Sequence, residues 1–502
     1  MAIAAPPTAT VGPLERGLSV LCALSAPDAD ERMRHSDLVR ATGLARATVD
    51  RVVSTLARLR LVRSDGREVW PAPRLMELSG AYLAASGIPA ALGPAVDGLA
   101  DEFDESVSVA VPDGDGVRFV VQAARRRHMN LTFRIGDLVP ADRCAPGALF
   151  TEGRDWAGDD QLIEPGLVAV AVPLRDPAGR TVCAVSVASH TSRHTMESLA
   201  EAVLPRLLER RGTLESALAA PRATAPPSAP VRDTSPAEKR ELGPDYLQSL
   251  ARGLAVLRAL GADRGEGMPL TAVAEATGLA RATARRSLLT LEQLGYVGCA
   301  GRQFRLRPRV LELGCARLSG LGLTDVAQPH LADLVRRVHE SASLAVLDGA
   351  DIRYVARVPT VRIMSIDITV GTRFPAYATA MGRVLLAGLA PRERPAVDGR
   401  LPALTGHTVT SADELTALLD EVAADDHALV DQELEEGLRS LAVPVRDGRG
   451  RVVAAVNVAQ HAGGGTPEEM RRAMLPELRQ AARLIEADLA ALGPVFRIRP
   501  DQ

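Results

Sequence analysis

Two short stretches carry the side chains best suited to recognition chemistry. In ARATVDRVV (45–53) the polar residues Arg46, Thr48, Asp50 and Arg51 are interleaved with Val49, Val52 and Val53. In ARATARRSLL (280–289) Arg281, Thr283, Arg285 and Arg286 surround Ala284, Ser287 and Leu288. At helical spacing the apolar set forms one stripe and the polar set faces away from it. An outward guanidinium is a planar fork of donors that matches phosphate oxygens and the major-groove edge of guanine. The chemistry indicated is reversible recognition of double-stranded DNA, with these four-residue sets as the DNA-contacting groups. Further arginines, Arg302, Arg305 and Arg307, follow in VGCAGRQFRLRP (297–308), placed to meet phosphates or a minor groove. Asp50 stands where the second stretch has Arg285. A carboxylate repels phosphate but accepts from a cytosine amino group, so the two stretches are expected to differ in sequence preference.

Bond-making chemistry has no comparable signature. G-x-S-x-G, H-E-x-x-H, G-x-x-x-x-G-K-[ST] and a strand-borne G-x-G-x-x-G are all missing, and the nine histidines are dispersed. Cys22, Cys144, Cys183, Cys299 and Cys315 form no C-x-x-C or His-spaced pair, so neither a disulfide framework nor a zinc site is expected. No enzyme activity, metal or cofactor is therefore anticipated. Aromatic residues make up only 3% of the chain, too few for base-stacking platforms on single strands. Without a run of about 18 apolar residues or a basic leader segment, the sequence is read as cytoplasmic, with no membrane partner.

The elements that must hold these side chains occur twice. LERGLSVLCAL (14–24) returns as LARGLAVLRAL (250–260), and ATGLARAT at 41–48 recurs letter for letter at 276–283. A repeat this long is a duplicated module, not a solenoid unit. Each copy opens with an amphipathic helix, has a short second helix ending at Gly43 or Gly278, and then a third helix bearing the polar set. In the third helix Val49, Val52, Val53, Leu56 and Leu59 form the apolar face, matched by Ala284, Ser287, Leu288, Leu291 and Leu294. Two strands around Gly66 or Gly301 complete a winged helix-turn-helix, called here a reader.

Beyond each reader a connecting helix (Pro73–Leu83; Pro308–Leu321) precedes β-type alternation. SVSVAVPDGDGVRFVVQA (106–123) and SASLAVLDGADIRYVARV (341–358) are hairpins turning at Asp113-Gly114 and Asp348-Gly349. IMSIDITVGTRFPAYATAMGRVLLAGL (363–389) reads as a strand and then a helix, and residues 438–461 as a late hairpin before a terminal helix. The fold class is α+β, an antiparallel sheet flanked by helices in each copy. The offset between copies is 235 from Ala41/Ala276 to Phe150/Leu385 and 271 from Ile163/Leu434, so the first copy lacks 36 residues that the second carries. The domains are 10–73 (first reader), 74–216 (first sheet domain), 217–243 (an Ala/Pro-rich linker), 244–308 (second reader) and 309–495 (second sheet domain).

YLQSLARGLAVLRAL, EATGLARATARRSLLTLEQLGYV, RLRPRVLELG, FPAYATAMGRVLLA and VDQELEEGLRSLAVPV together resemble the IclR family of bacterial transcriptional regulators. Within it the second half is similar to the subgroup governing protocatechuate and β-ketoadipate catabolism (PcaR/PcaU-like). The resemblance implies a winged helix joined to a GAF-like effector domain, with dimers formed largely through the readers. It also implies a small-molecule site made by Ala378, Thr379, Met381 and Gly382 with Asp431, Glu433, Arg439, Ser440 and Asn457. A helix N-terminus with open N–H groups would favour an anionic head, and Arg439 would add a bidentate contact to a carboxylate effector. In the first copy Arg439 becomes Val168, Ser440 becomes Ala169, Glu433 becomes Leu162 and Asn457 becomes Ser186, so that copy is expected to have lost its ligand. The function indicated is a regulator binding an imperfect inverted repeat, as a homo-oligomer, under control of a carboxylate metabolite. The alternative is a partner-dependent co-regulator with one working reader and a scaffold-like first half.

Overall fold

The opening repeat folds as α1 (Pro13–Ser25), burying Leu14, Leu18, Leu21 and Leu24 along one stripe. The computed structural model describes residues 12–26, 28–125, 133–220, 235–263, 265–360, 368–395 and 401–493. Most of the linker and the strand expected from Ile363 lie outside the described residues. After α1 come β1 (Met33–Arg34) and α2 (His35–Thr42), which stops where Gly43 adopts φ 68°. Helix α3 (Arg46–Arg58) buries Val49, Val52, Val53 and Leu56, along with Thr55, whose hydroxyl donates back to the Arg51 carbonyl. Leu59 falls at the cap and is only half-buried. The wing is β2 (Val62–Ser64) and β3 (Glu68–Pro71), and β1 joins as a third strand with Met33 opposite Val69.

A 3-10 turn leads to α4 (Met76–Ser86) and α5 (Ile88–Phe103). The first sheet domain continues with β4 (Ser106–Asp113), β5 (Gly116–Ala123), β6 (Leu138–Pro140), α6 (Ala145–Thr151), β7 (Ala157–Asp160), β8 (Leu167–Arg175), β9 (Thr181–His190) and α7 (Met196–Ala219). The sheet is antiparallel in the order β6-β5-β4-β9-β8-β7. Helices α5 and α7 cover one face and α6 the other.

The second reader repeats the plan. After α8 (Ser235–Leu242) come α9 (Gln248–Leu260), β10 (Met268–Pro269), α10 (Leu270–Thr277), α11 (Arg281–Gln293), β11 (Val297–Ala300) and β12 (Gln303–Leu306). Its turn glycine, Gly278, has φ 69°. The connecting helix expected over Pro308–Leu321 does not form as one helix. A 3-10 segment, Pro308–Glu312, ends at Gly314 with φ 92°, and a four-residue helix α12 (Cys315–Leu318) follows. The first copy has Ser79 at this place, inside α4. Glycine permits the left-handed turn, and a Cβ at 314 would sit 2.7 Å from Leu75.

The two readers belong to one compact unit, Met1–Gly320, and pack on each other reciprocally. Leu250 of α9 lies over Gly17 of α1, where a Cβ would meet it at 2.2 Å; Leu14 of α1 lies over Gly253, at 2.4 Å. A contact of i with j matched by j with i is the mark of an isologous interface. Here it joins two parts of one chain. The same relation holds at the margin: Arg258 bonds Glu77 (2.7 Å), and its counterpart Cys22 bonds Glu312 (3.4 Å). Each glutamate is also held by the arginine three residues before it, Arg74 at 3.0 Å and Arg309 at 3.1 Å.

The second unit, Leu321–Gln502, contains α13 (Leu323–Val338), β13 (Ser341–Asp348), β14 (Asp351–Val358), β15 (Arg373–Pro375), α14 (Ala380–Ala387), α15 (Ala412–Asp425), β16 (Ala428–Asp431), β17 (Leu438–Arg446), β18 (Val452–His461) and α16 (Pro467–Leu492). Its sheet runs β15-β14-β13-β18-β17-β16, the order of the first. Helices α13 and α16 cover one face, with α14 on the other and α15 packed on α14. Thr466 and Glu469 close a capping box at the start of α16. Helix α15 falls within the 36 residues absent from the first copy, which has therefore lost a helix and kept all six strands.

Candidate functional site

The polar set of the first reader lies at the N-terminal end of α3. Arg46 and Arg51 are exposed, and Thr48 and Asp50 are half-buried. Asp50 is not free: His35 Nδ1 lies 2.5 Å from its Oδ1, and Arg46 Nε is 3.8 Å from Oδ2. Further along α3 the chain preceding α9 lies against the helix. Arg51 is 3.9 Å from Asp245, Arg58 is paired with Glu238 and Glu241, and the Leu247 amide donates to Thr55 Oγ1 at 3.0 Å. On α11 of the second reader, Arg281, Arg285 and Arg286 are exposed, Thr283 is half-buried, and these arginines form no ion pair among the described residues. Arg302 and Arg305 project from the second wing, also exposed.

In the second sheet domain the pleat sorts the expected effector residues into two groups. Val430, Ala442 and Ala455 belong to the cluster beneath α14, with Ala378, Ala380 and Met381. Side chains alternate along a strand, so Ser440 shares the face of Ala442, and Asn457 that of Ala455. Asp431 and Arg439 are one residue out of phase and lie on the opposite face. There Arg439 is consumed by its neighbours: Nε and Nη2 bond both oxygens of Asp431 at 2.9 and 3.0 Å, and Nη1 bonds the Gly465 carbonyl. Arg439, expected to meet a carboxylate, thus has its fork engaged by Asp431 and Gly465 on the face opposite Ser440. At the helix N-terminus Thr379 and Met381 are buried, and Thr379 Oγ1 accepts from the Gly382 amide at 3.1 Å, which caps one amide of the first turn.

Glu433, expected in the small-molecule site, is buried in a pair with Arg383. Arg383 Nη2 lies 2.5 Å from Glu433 Oε2, while its Nε donates to the Tyr377 carbonyl at 2.9 Å. The same carboxylate accepts from the Val409 amide (3.0 Å), and Thr405 and Thr408 donate to the backbone carbonyls of Gln432 and Glu433. Sequence reasoning missed Arg383, which reads as an outward residue of a short helix. It also missed Ser343 and Arg357, which lie in register with Asn457 across β13 and β14. Asn457 is 4% exposed, and its Oδ1 has no partner among the described residues. A row of small residues, Ala442, Asn457 and Ser343, thus runs under α14 with an uncommitted acceptor at its centre.

The matching face of the first copy is filled. Phe133, Phe150 and Ile163 pack onto the alanines of β8 and β9, and Phe133 stacks on Phe119 with centroids 4.0 Å apart. The counterparts of Arg383 and Glu433 are Ala148 and Leu162, so both halves of the buried pair are gone together.

Against known proteins, the IclR helix-turn-helix domain matches residues 13–66 and again 249–298, and the bacterial transcriptional regulator IclR C-terminal domain matches 315–487. The Pca regulon regulatory protein of Pseudomonas putida is 44% identical over 243 residues, 48% of this chain and 83% of that protein. The Pca operon regulatory protein of Acinetobacter baylyi is 35% identical over 245 residues, covering 48% and 88% respectively. The p-hydroxybenzoate hydroxylase transcriptional activator of the same organism is 36% identical over 245 residues, covering 47% and 90%. A solved protein structure from Rhodococcus sp. RHA1 is 53% identical, spans 49% of this chain and 99% of its own, and has a TM-score of 0.45. The chain belongs to the IclR family and is a transcriptional regulator, with its GAF-like domains and winged helices duplicated in tandem. Among the described residues no single helix is long and apolar enough to cross a membrane.

Proposed function

We propose that this regulator reads one imperfect inverted repeat as a built-in pseudo-dimer, with an aromatic-acid-derived carboxylate bound in its second sheet domain as effector. The observation that carries the reading is the reciprocal packing of Leu14 on Gly253 and Leu250 on Gly17. It couples two recognition helices about a pseudo-two-fold axis, as a palindromic operator requires. Once one reader is docked, the second searches at the effective concentration set by the tether. The relatives named for Pca and p-hydroxybenzoate genes support control of aromatic-acid catabolism. For the effector, the group under α14 is the candidate: Ala378, Thr379, Met381, Gly382, Glu433, Ser440 and Asn457, with Ser343 and Arg357 added. A ligand that favours one arrangement of that domain shifts the regulator between DNA-binding populations. Residues 74–216 act as a packed, ligand-free partner, and chains associate further as a homo-oligomer.

The test is a pull-down of sheared genomic DNA by the purified chain, sequenced with and without protocatechuate or β-ketoadipate. Enrichment of one inverted repeat near aromatic-catabolism genes, altered by either acid, is the expected result. Retention that depends on salt and not on sequence would leave only phosphate attraction and overturn the proposal.

A further inference from the structure

The two recognition helices carry nearly the same outward set in their first two turns, although the wings beside them differ, with Trp70 where the second has Arg305. Arg46 matches Arg281, Thr48 matches Thr283 and Arg51 matches Arg286; among these positions only Asp50 and Arg285 differ. A second difference accompanies the first. The residue that holds Asp50, His35 at the start of α2, is Leu270 at the start of α10. Acid and imidazole occur together in one copy and are both replaced in the other.

The geometry gives that pairing a purpose. His35 is largely buried against α3, its side chain 17% exposed, and its Nδ1 is bonded to Asp50 Oδ1 at 2.5 Å. Asp50 remains 44% exposed, and Oδ2 is 3.8 Å from the exposed Arg46. One oxygen is thus anchored from behind, and the side chain is fixed in direction with its negative charge flanked by a guanidinium. An unanchored carboxylate at this place would be driven off by the phosphates. An anchored one can accept from an exocyclic amino group, and in the major groove cytosine N4 is the amino group that pairs with Asp, whereas Arg pairs with guanine.

We infer that His35 is a positioning residue that aims Asp50 at a cytosine, so that the operator's two arms differ by inversion of one base pair at this position. The arm under the second reader carries guanine on the strand facing Arg285; the arm under the first carries cytosine there. At the bases met by the other three helix positions the arms agree, because Arg46, Thr48 and Arg51 match Arg281, Thr283 and Arg286. This rests on the DNA-reading function proposed above.

Selection by the full-length protein from a randomised duplex pool, followed by sequencing, tests it. The expected product is an inverted repeat whose arms agree at the other bases met by the two helices and, at this position, show a preference of about tenfold or more for C in one arm and G in the other. R285A should flatten the G position alone, which assigns the arms. H35L should flatten the C position while the rest of that arm and the whole second arm stay selected; H35N, which keeps a donor near the place of Nδ1, should restore it. D50R should make the arms agree at this position. Arms already identical in the unaltered protein, or a C preference untouched by H35L, would overturn the assignment and leave DNA reading intact. No enriched sequence at all would overturn both.

Discussion

A guanidinium and a carboxylate held together away from water add little net stability as a pair, but removing one partner strands the other. Arg383 and Glu433 are in that position, both nearly inaccessible and bonded to each other. R383A or E433A should each lower the stability of the second unit by about 3–5 kcal/mol in urea unfolding. The double variant R383A/E433L reproduces what the first copy carries, Ala148 and Leu162, and should lose less than either single change. A loss in the double variant equal to the sum of the two single losses would mean the pair is not coupled. The thiols make a second case. Burial pushes Cys22, Cys183 and Cys315 up to about 12 and Cys144 up to about 11, while Cys299 lies exposed on the second wing. A raised value in the folded state means that the stability tied to the neutral thiol is complete below the ordinary value near 9. It is lost as pH climbs from there toward 12. Urea midpoints should therefore hold steady from neutrality to about pH 8.5 and then fall. Iodoacetamide at pH 8 should modify Cys299 alone, and operator DNA should slow that reaction. Labelling of Cys183 in the native protein would contradict the burial assigned to it.

At the scale of elements, the α1–α9 contact depends on having no side chain at two positions. A methyl group at Gly17 or Gly253 would meet a leucine at less than van der Waals separation, and both clashes lie within helices, where the backbone has little room to yield. G17A and G253A should each destabilise the reader pair by about 1–3 kcal/mol. Both should weaken operator binding more than binding to a single arm, measured by fluorescence anisotropy. Much of this level was legible in the sequence, because duplication itself fixed the reader helices, the wing turns and the hairpins at Asp113-Gly114 and Asp348-Gly349. Helix α5 was not seen, although Ile88, Leu92, Val96 and Leu99 recur at helical spacing; its Pro and Gly content reads as a loop. Strands β1 and β10, two residues each, carry no period to read. The direction of the candidate effector residues was not legible. Arg439 and Ser440 were grouped by the resemblance, yet as strand neighbours they point to opposite faces. Arg383 and Glu433 lie 50 positions apart, and only the packing of α14 on the sheet brings them together.

For the whole molecule, fusion changes the order of assembly on DNA. Two separate chains must find each other before or on the operator, so occupancy depends on protein concentration more steeply than the first power. When both readers share one chain, dimerisation is already complete and the tether sets the local concentration, on the order of millimolar for a short flexible connection. Titration of a duplex containing one inverted repeat should therefore follow a simple hyperbola, and sedimentation at saturating duplex should give as many bound repeats as chains, however the chains associate. Replacing Leu14 and Leu250 together by Asp puts charges into the apolar centre of the reciprocal contact, where each leucine is buried. That variant should fall toward the affinity of a single arm, while its salt slope drops as phosphate contacts from the second reader are lost. A steeper than hyperbolic titration by the unaltered protein, with two chains on one repeat, would instead place the working dimer between chains and reduce the internal pair to a packing arrangement. The distinction has a regulatory consequence. A homodimeric reader can be silenced by dilution alone, whereas a chain that carries both readers would, under the proposed function, answer to its effector and to the number of operators it must cover.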